Sequence, residues 1–230
     1  MIVALNNKSN FNKEEFLSYL KELSSIETKH KLIVCPTSIN IPLFNLDNVY
    51  LGAQNVGNNL AGAHTGEVNS KQLKSFGVKY CLVGHSERRE EQHITSKDTN
   101  KKVKLLLEDH ITPILCVGET KEQRVHNNYK AVVKEEILTA IKDLPEDDVS
   151  KIIIAYEPIY SIGTGIVPTN EEIIEVLNII RKILPDNKIL YGGSANEENI
   201  DVLKEVDIDG FLLGGLSLHV DKLKTFLSKI

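Results

Sequence analysis

Eight short apolar runs are spread along the chain and alternate with longer stretches in which apolar residues recur every three or four positions. The runs are IVALN (2–6), KLIVCP (31–36), VYLGAQN (49–55), KYCLVG (79–84), TPILCVG (112–118), KIIIAYE (151–157), KILYGG (188–193) and DGFLLGG (209–215). Most are apolar at consecutive positions, the pattern of strands covered on both faces and therefore of a parallel sheet. Between them, Phe16, Leu20 and Leu23 follow Asn12, a residue type suited to a helix N-cap. Tyr129, Val133, Ile137, Ile141 and Leu144 recur along 121–144 and predict one helical run. Ile173, Ile174, Leu177, Ile180 and Leu184 predict the buried face of a helix over 171–184. Thr169, with Glu172 three residues on, reads as the capping box that starts it. A last helix is predicted over 219–229, and the segment Ser38 to Asp47 is abbreviated.

Eight strand–helix units in a single row predict an α/β protein built as one closed (β/α)8 barrel over residues 1–230. A doubly wound open sheet has the same periodicities and is the alternative. No linker, low-complexity segment or charge block marks a second domain.

Composition narrows the partners. The net charge of −5 disfavours nucleic acid and anionic membranes, so an anionic substrate has to be held by a local set of donors. Cys35, Cys81 and Cys116 each sit in an apolar run without CxxC spacing, as reduced core residues do. The opening MIVALNNK lacks the basic region of a signal peptide, and no run reaches membrane-spanning length; the cytoplasm is the expected compartment.

Candidate chemistry gathers at the C-terminal ends of the runs, which share one face of a parallel barrel. They carry Asn6 and Lys8; His85; Glu157; Gly192, Gly193 and Ser194; and Gly214 and Gly215. Alternation puts Asn6 and Lys8 on one side and Asn7 on the other. Glu157 ends an apolar run and is followed by Pro158 and a loop containing Gly163 and Gly165. A fixed acid beside a glycine loop suits a base working under an anion-binding flap. Taken singly, Glu157 reads equally well as a buried turn cap, whereas His85 reads better as a satisfied polar residue and Lys8 better as a solvated strand end.

The strings NNK, GHSERR, AYEPIYSIGTG, YGGS and LLGG, in this order and spacing, resemble the triosephosphate isomerase family over essentially the whole chain. The resemblance implies interconversion of dihydroxyacetone phosphate and glyceraldehyde 3-phosphate without metal or organic cofactor. It implies Glu157 as the base, a neutral His85 at a helix N-terminus as the electrophile, and Lys8 and Asn6 on the substrate oxygens. Glu87 would orient Lys8 or complete the hydrogen-bond chain beside His85. Backbone groups at Gly163, Ser194, Gly214 and Gly215 would bind phosphate, and loop 158–168 would close over it. The resemblance also implies a homodimer, in which loop 54–67 brings Thr65 near the partner subunit's Asn6 and Glu67 pairs with Arg88 of its own subunit.

Three positions depart from the family. Asn7 stands where a bulky apolar residue is usual, and needs a hydrogen-bond partner if it faces the helices. The far hinge reads Ile166-Val167-Pro168, and Pro168 has no N–H for the latch that the family's counterpart of Tyr191 makes. That leaves Ser194 on the Gly165 amide as the expected fastening. Tyr160 replaces a frequent tryptophan. Two rival readings are an aldolase with a Schiff base on Lys8, and a barrel kept for binding alone.

Overall fold

Parallel pairing runs from the first strand through the eighth and back to the first, in a computed structural model that describes residues 1–164 and 166–230. The strands are β1 (Ile2–Asn6), β2 (Lys31–Cys35), β3 (Tyr50–Ala53), β4 (Tyr80–Val83), β5 (Thr112–Val117), β6 (Ile153–Tyr156), β7 (Ile189–Tyr191) and β8 (Gly210–Leu213). Ala4 lies opposite both Ile33 of β2 and Leu212 of β8, which closes the barrel and disposes of the open sheet.

The helices are α1 (Lys13–Leu23), α2 (Ser70–Ser75), α3 (Ser86–Gln92), α4 (Ser96–Glu108), α5 (Lys121–Val125), α6 (Tyr129–Ala140), α7 (Glu146–Val149), α8 (Asn170–Ile183), α9 (Ile200–Leu203) and α10 (Val220–Lys229). Among the described residues none is long and apolar enough to cross a membrane. The abbreviated second unit is a 3-10 turn, Ser38–Leu43.

The continuous apolar runs have a direct cause. Ala4, Ile33, Leu82, Ile114, Ala155, Leu190 and Leu212 fill the barrel, while Val3, Leu5, Val34, Leu115 and Ile154 face the helices. Both faces are dry, so both parities are apolar. Gly52 is required inside, because a Cβ there would fall 2.5 Å from Cys35 Sγ. The three cysteines are free and buried. The parity that puts Ala155 in the interior continues to Glu157 at the barrel mouth, and that of Ala4 continues to Asn6.

Several boundaries differ from expectation. The single helix expected over 121–144 is two, α5 and α6, because the chain turns at Asn127 with φ 54°. Ile141 and Leu144 lie beyond α6 yet still pack on the core. Ile174 points outward, 42% exposed, and Val176 takes its place in the core. β3 ends at Ala53, which releases Gln54 and Asn55 from the ladder. The predicted caps form: Thr169 N–H donates to Glu172 Oε2 at 2.9 Å, and Glu172 N–H donates to Thr169 Oγ1 at 3.2 Å. Such a cap stabilises a helix by about 1 kcal/mol. Asn12 makes the same reciprocal pair with Glu15.

Candidate active site

Three strand exits bring the proton-handling groups together. Glu157 follows β6, is 2% exposed, and receives the Ser86 N–H on Oε2 at 3.2 Å. Its Oε1 lies 3.1 Å from His85 Nε2. His85 is the N-cap of α3, and its Nδ1 accepts the Glu87 N–H at 3.3 Å. That bond keeps Nδ1 unprotonated and places the ring's proton on Nε2, facing Glu157. Burial pushes the imidazole pKa down, but the Glu157 carboxylate more than offsets it, so the net displacement is upward. In the ligand-free pair, Glu157 therefore works against the neutral imidazole that a helix N-terminus favours.

Lys8 and Asn6 complete this side. Asn6 Nδ2 lies 3.3 Å from His85 Nε2, and Asn6 Oδ1 accepts the Lys8 N–H at 3.1 Å. The Lys8 ammonium pairs with the Glu87 carboxylate. Glu87 contacts both neighbours, through its side chain on Lys8 and its backbone N–H on His85. Lys8 sits at φ 51°, a conformation a lysine rarely adopts unaided. Gln54 holds it there: Nε2 donates to Lys8 O at 2.8 Å and to Cys35 O at 2.9 Å. Gly214 leaves room for the lysine stem, since a Cβ there would lie 3.2 Å from Lys8 Cε.

The loops after β6, β7 and β8 form an adjoining rim with the residues expected to bind phosphate. Gly163 has φ +68° with open space around it, and Gly215 opens a 3-10 turn, Gly215–Leu218, with open space beside it too. Ser194 N–H donates to Ser161 Oγ at 3.1 Å, and Ser194 Oγ donates to Ser161 O. The Ser194 donors are therefore engaged by the loop itself. Among the described residues Tyr191 Oη is buried with no well-formed hydrogen bond, the Ser161 hydroxyl being a polar neighbour, and burial pushes its pKa up to about 12. The expected Ser194–Gly165 fastening lies outside the described residues.

Comparison with known proteins decides the family. The model of the family described as triosephosphate isomerase matches residues 1–230. This chain belongs to the triosephosphate isomerase family. The triosephosphate isomerase of Mycoplasmopsis pulmonis is 44% identical over 195 residues, covering 82% of this chain and 77% of that protein. That of Clostridium botulinum is 36% identical over 243 aligned positions, covering 99% and 98%. That of Endomicrobium trichonymphae is 38% identical over 236, covering 96% and 94%.

Within this triosephosphate isomerase family member, the departure at Asn7 is accommodated only in part. Asn7 does face the helical layer, is 1% exposed, and donates from Nδ2 to Ser217 Oγ at 3.4 Å. Ser217 passes the connection on to Asn6 O at 3.1 Å. Among the described residues neither Asn7 Oδ1 nor the Tyr19 hydroxyl makes a well-formed hydrogen bond, although the two side chains are polar neighbours. The expected Glu67–Arg88 ion pair does not form: no ion pair joins these residues among the described ones, although both line one cavity of about 400 Å³. Glu67 is exposed, as is Thr65 in the same loop.

Sequence reading missed Gln54, although its position past β3 was a signal, and a buried network beneath the near hinge. Glu119 is wholly buried and accepts from Tyr156 Oη at 3.1 Å, with Arg124 Nε 3.0 Å from the same oxygen. Burial raises the Glu119 pKa despite that arginine. Glu119 O takes the Ile159 N–H at 3.0 Å, anchoring the start of loop 158–168.

Proposed function

We propose that Glu157, His85, Lys8 and Asn6 carry, in this chain, its family's interconversion of dihydroxyacetone phosphate and D-glyceraldehyde 3-phosphate. The substrate phosphate sits against backbone N–H groups of Gly163, Ser194, Gly214 and Gly215, with Lys8 supplying compensating charge. Its carbonyl oxygen takes the place of Glu157 on His85 Nε2. Moving the carboxylate off the ring removes the upward pull on the imidazole. With Nδ1 still bound to the Glu87 amide, His85 then donates as a neutral group.

Glu157 abstracts a proton from the carbon beside the carbonyl, and the electron pair moves onto the oxygen as an enediolate. Glu157 returns the proton to the adjacent carbon, exchanging aldehyde and ketone. A positioned base of this kind contributes ~10²–10⁴-fold. Closure of loop 158–168 keeps water from the enediolate and prevents loss of its phosphate. Closure must also break the Ser161–Ser194 bonds that occupy a phosphate donor here. The observation that carries this reading is the 3.1 Å approach of Glu157 Oε1 to His85 Nε2, with Oε2 held on the Ser86 amide.

The enzyme acts as a homodimer in this reading. The cavity of about 370 Å³ bordered by Asn6, Lys8, Gln54, His85 and Glu87 receives the tip of the partner's loop 54–67. Three unpaired buried thiols suit a cytoplasmic enzyme. An assay of purified protein with dihydroxyacetone phosphate should show isomerisation unaffected by borohydride. Irreversible inactivation by borohydride with substrate present would instead place a Schiff base on Lys8.

A further inference from the structure

Behind the base lies a second buried carboxylate that the reaction above leaves idle. Glu136, on α6, is 7% exposed; its Oε2 accepts the Gly118 N–H at 3.0 Å, and its Oε1 lies 3.4 Å from Arg89 Nε. Arg89 Nε donates to Gly84 O at 2.7 Å. Both glycines adjoin the reacting groups. Gly84 immediately precedes His85. Gly118 lies so close to the Glu157 backbone that a Cβ on it would fall 1.7 Å from Glu157 O. A void of about 10 Å³ borders both Glu136 and Glu157. The Glu136–Arg89 pair thus ties the exit of β4, which carries the electrophile, to the exit of β5, on which the base rests.

We propose that Glu136 is a positioning residue for the isomerase: as a carboxylate it holds Arg89 and the Gly118 amide, fixing the spacing of His85 and Glu157, and loss of its charge slows proton transfer without weakening substrate binding. The inference rests on Glu157 being the base. The charged groups facing Glu136 are Arg89 from α3, Glu157 after β6 and Glu135 on its own helix; the neutral Cys116 thiol of β5 lines the same void. Burial pushes the Glu136 carboxyl up to about 7, against the pull of Arg89 and the Gly118 amide. Its charge is therefore present above neutral pH and lost below it.

Glu136→Gln preserves shape and the acceptor for Gly118 but cannot ionise. The ratio of wild-type to variant kcat cancels the titration of the substrate phosphate. That ratio should rise on the order of tenfold between about pH 6 and about pH 8, with the ratio of KM values constant. A kcat ratio that stays flat with pH, or a change confined to KM, overturns the proposal. Should the variant not fold, infrared difference spectra of the wild type over the same range decide. A buried protonated-carboxyl band that vanishes as pH rises is expected, and its absence overturns the proposal. Glu157→Gln assayed alongside separates the two ideas. Wild-type activity in that variant removes the base and this inference with it, whereas an inactive Glu157→Gln with a flat Glu136→Gln ratio removes only the positioning role.

Discussion

The two rims of the site are built differently. On the proton-handling rim, Glu157, His85, Asn6, Lys8 and Glu87 bind one another or a backbone amide, and Gln54 holds the strained lysine from behind. On the proposed phosphate rim, the Ser194 donors are spent on Ser161, Tyr191 Oη makes no well-formed hydrogen bond among the described residues, and Gly163 and Gly215 face open space. If these residues carry the proposed chemistry, the placement it requires is already built into the fold. In the proposed reading, binding of a dianion is left to backbone donors that rearrange around it. Substitutions on the first rim should lower kcat, and those on the second should raise KM.

The sharpest test of that contrast is Glu157→Gln, which keeps the shape of the base and removes its proton affinity. It should lower kcat by ~10²–10⁴-fold with KM nearly unchanged. Lys8→Met comes next. Its charge serves both phosphate and enediolate, so kcat/KM should fall on the order of 10²-fold, shared between the two constants. It also leaves Glu87 without its cation. Ser194→Ala should raise KM by a few-fold with kcat kept within about twofold, because the backbone donor survives and only the hydroxyl expected to fasten the closed loop is lost. A kcat loss as large as that of Lys8→Met would erase the distinction between the rims. The smallest effect belongs to Tyr191→Phe. With no N–H on Pro168 and no well-formed hydrogen bond to Oη among the described residues, kcat should be retained within about twofold and thermal stability kept or improved. A tenfold loss of kcat would show that the hydroxyl finds a partner during turnover.

The barrel was legible because every strand is covered on both faces, so each announces itself as a continuous apolar run. Glu157 was legible because it is the polar residue that ends such a run in register with Ala155. Gln54, Glu136 and Arg89 were not. They act through bonds to Lys8 O, Gly118 N and Gly84 O, backbone atoms that no side-chain pattern reveals. The turn at His126–Asn127 escaped notice because apolar spacing continues across it, and Ile174 was misplaced because adjacent isoleucines cannot both face the core. The helix-dipole argument for His85 considered α3 alone and left out the carboxylate on its other side.

The central claim, that one carboxylate moves a carbon-bound proton, is tested most directly by NMR in heavy water. Wild-type protein incubated with dihydroxyacetone phosphate should introduce deuterium at the carbon beside the carbonyl as it isomerises. In Glu157→Gln, exchange and isomerisation should fall together and by the same factor. Exchange persisting at the wild-type rate in that variant would contradict the account.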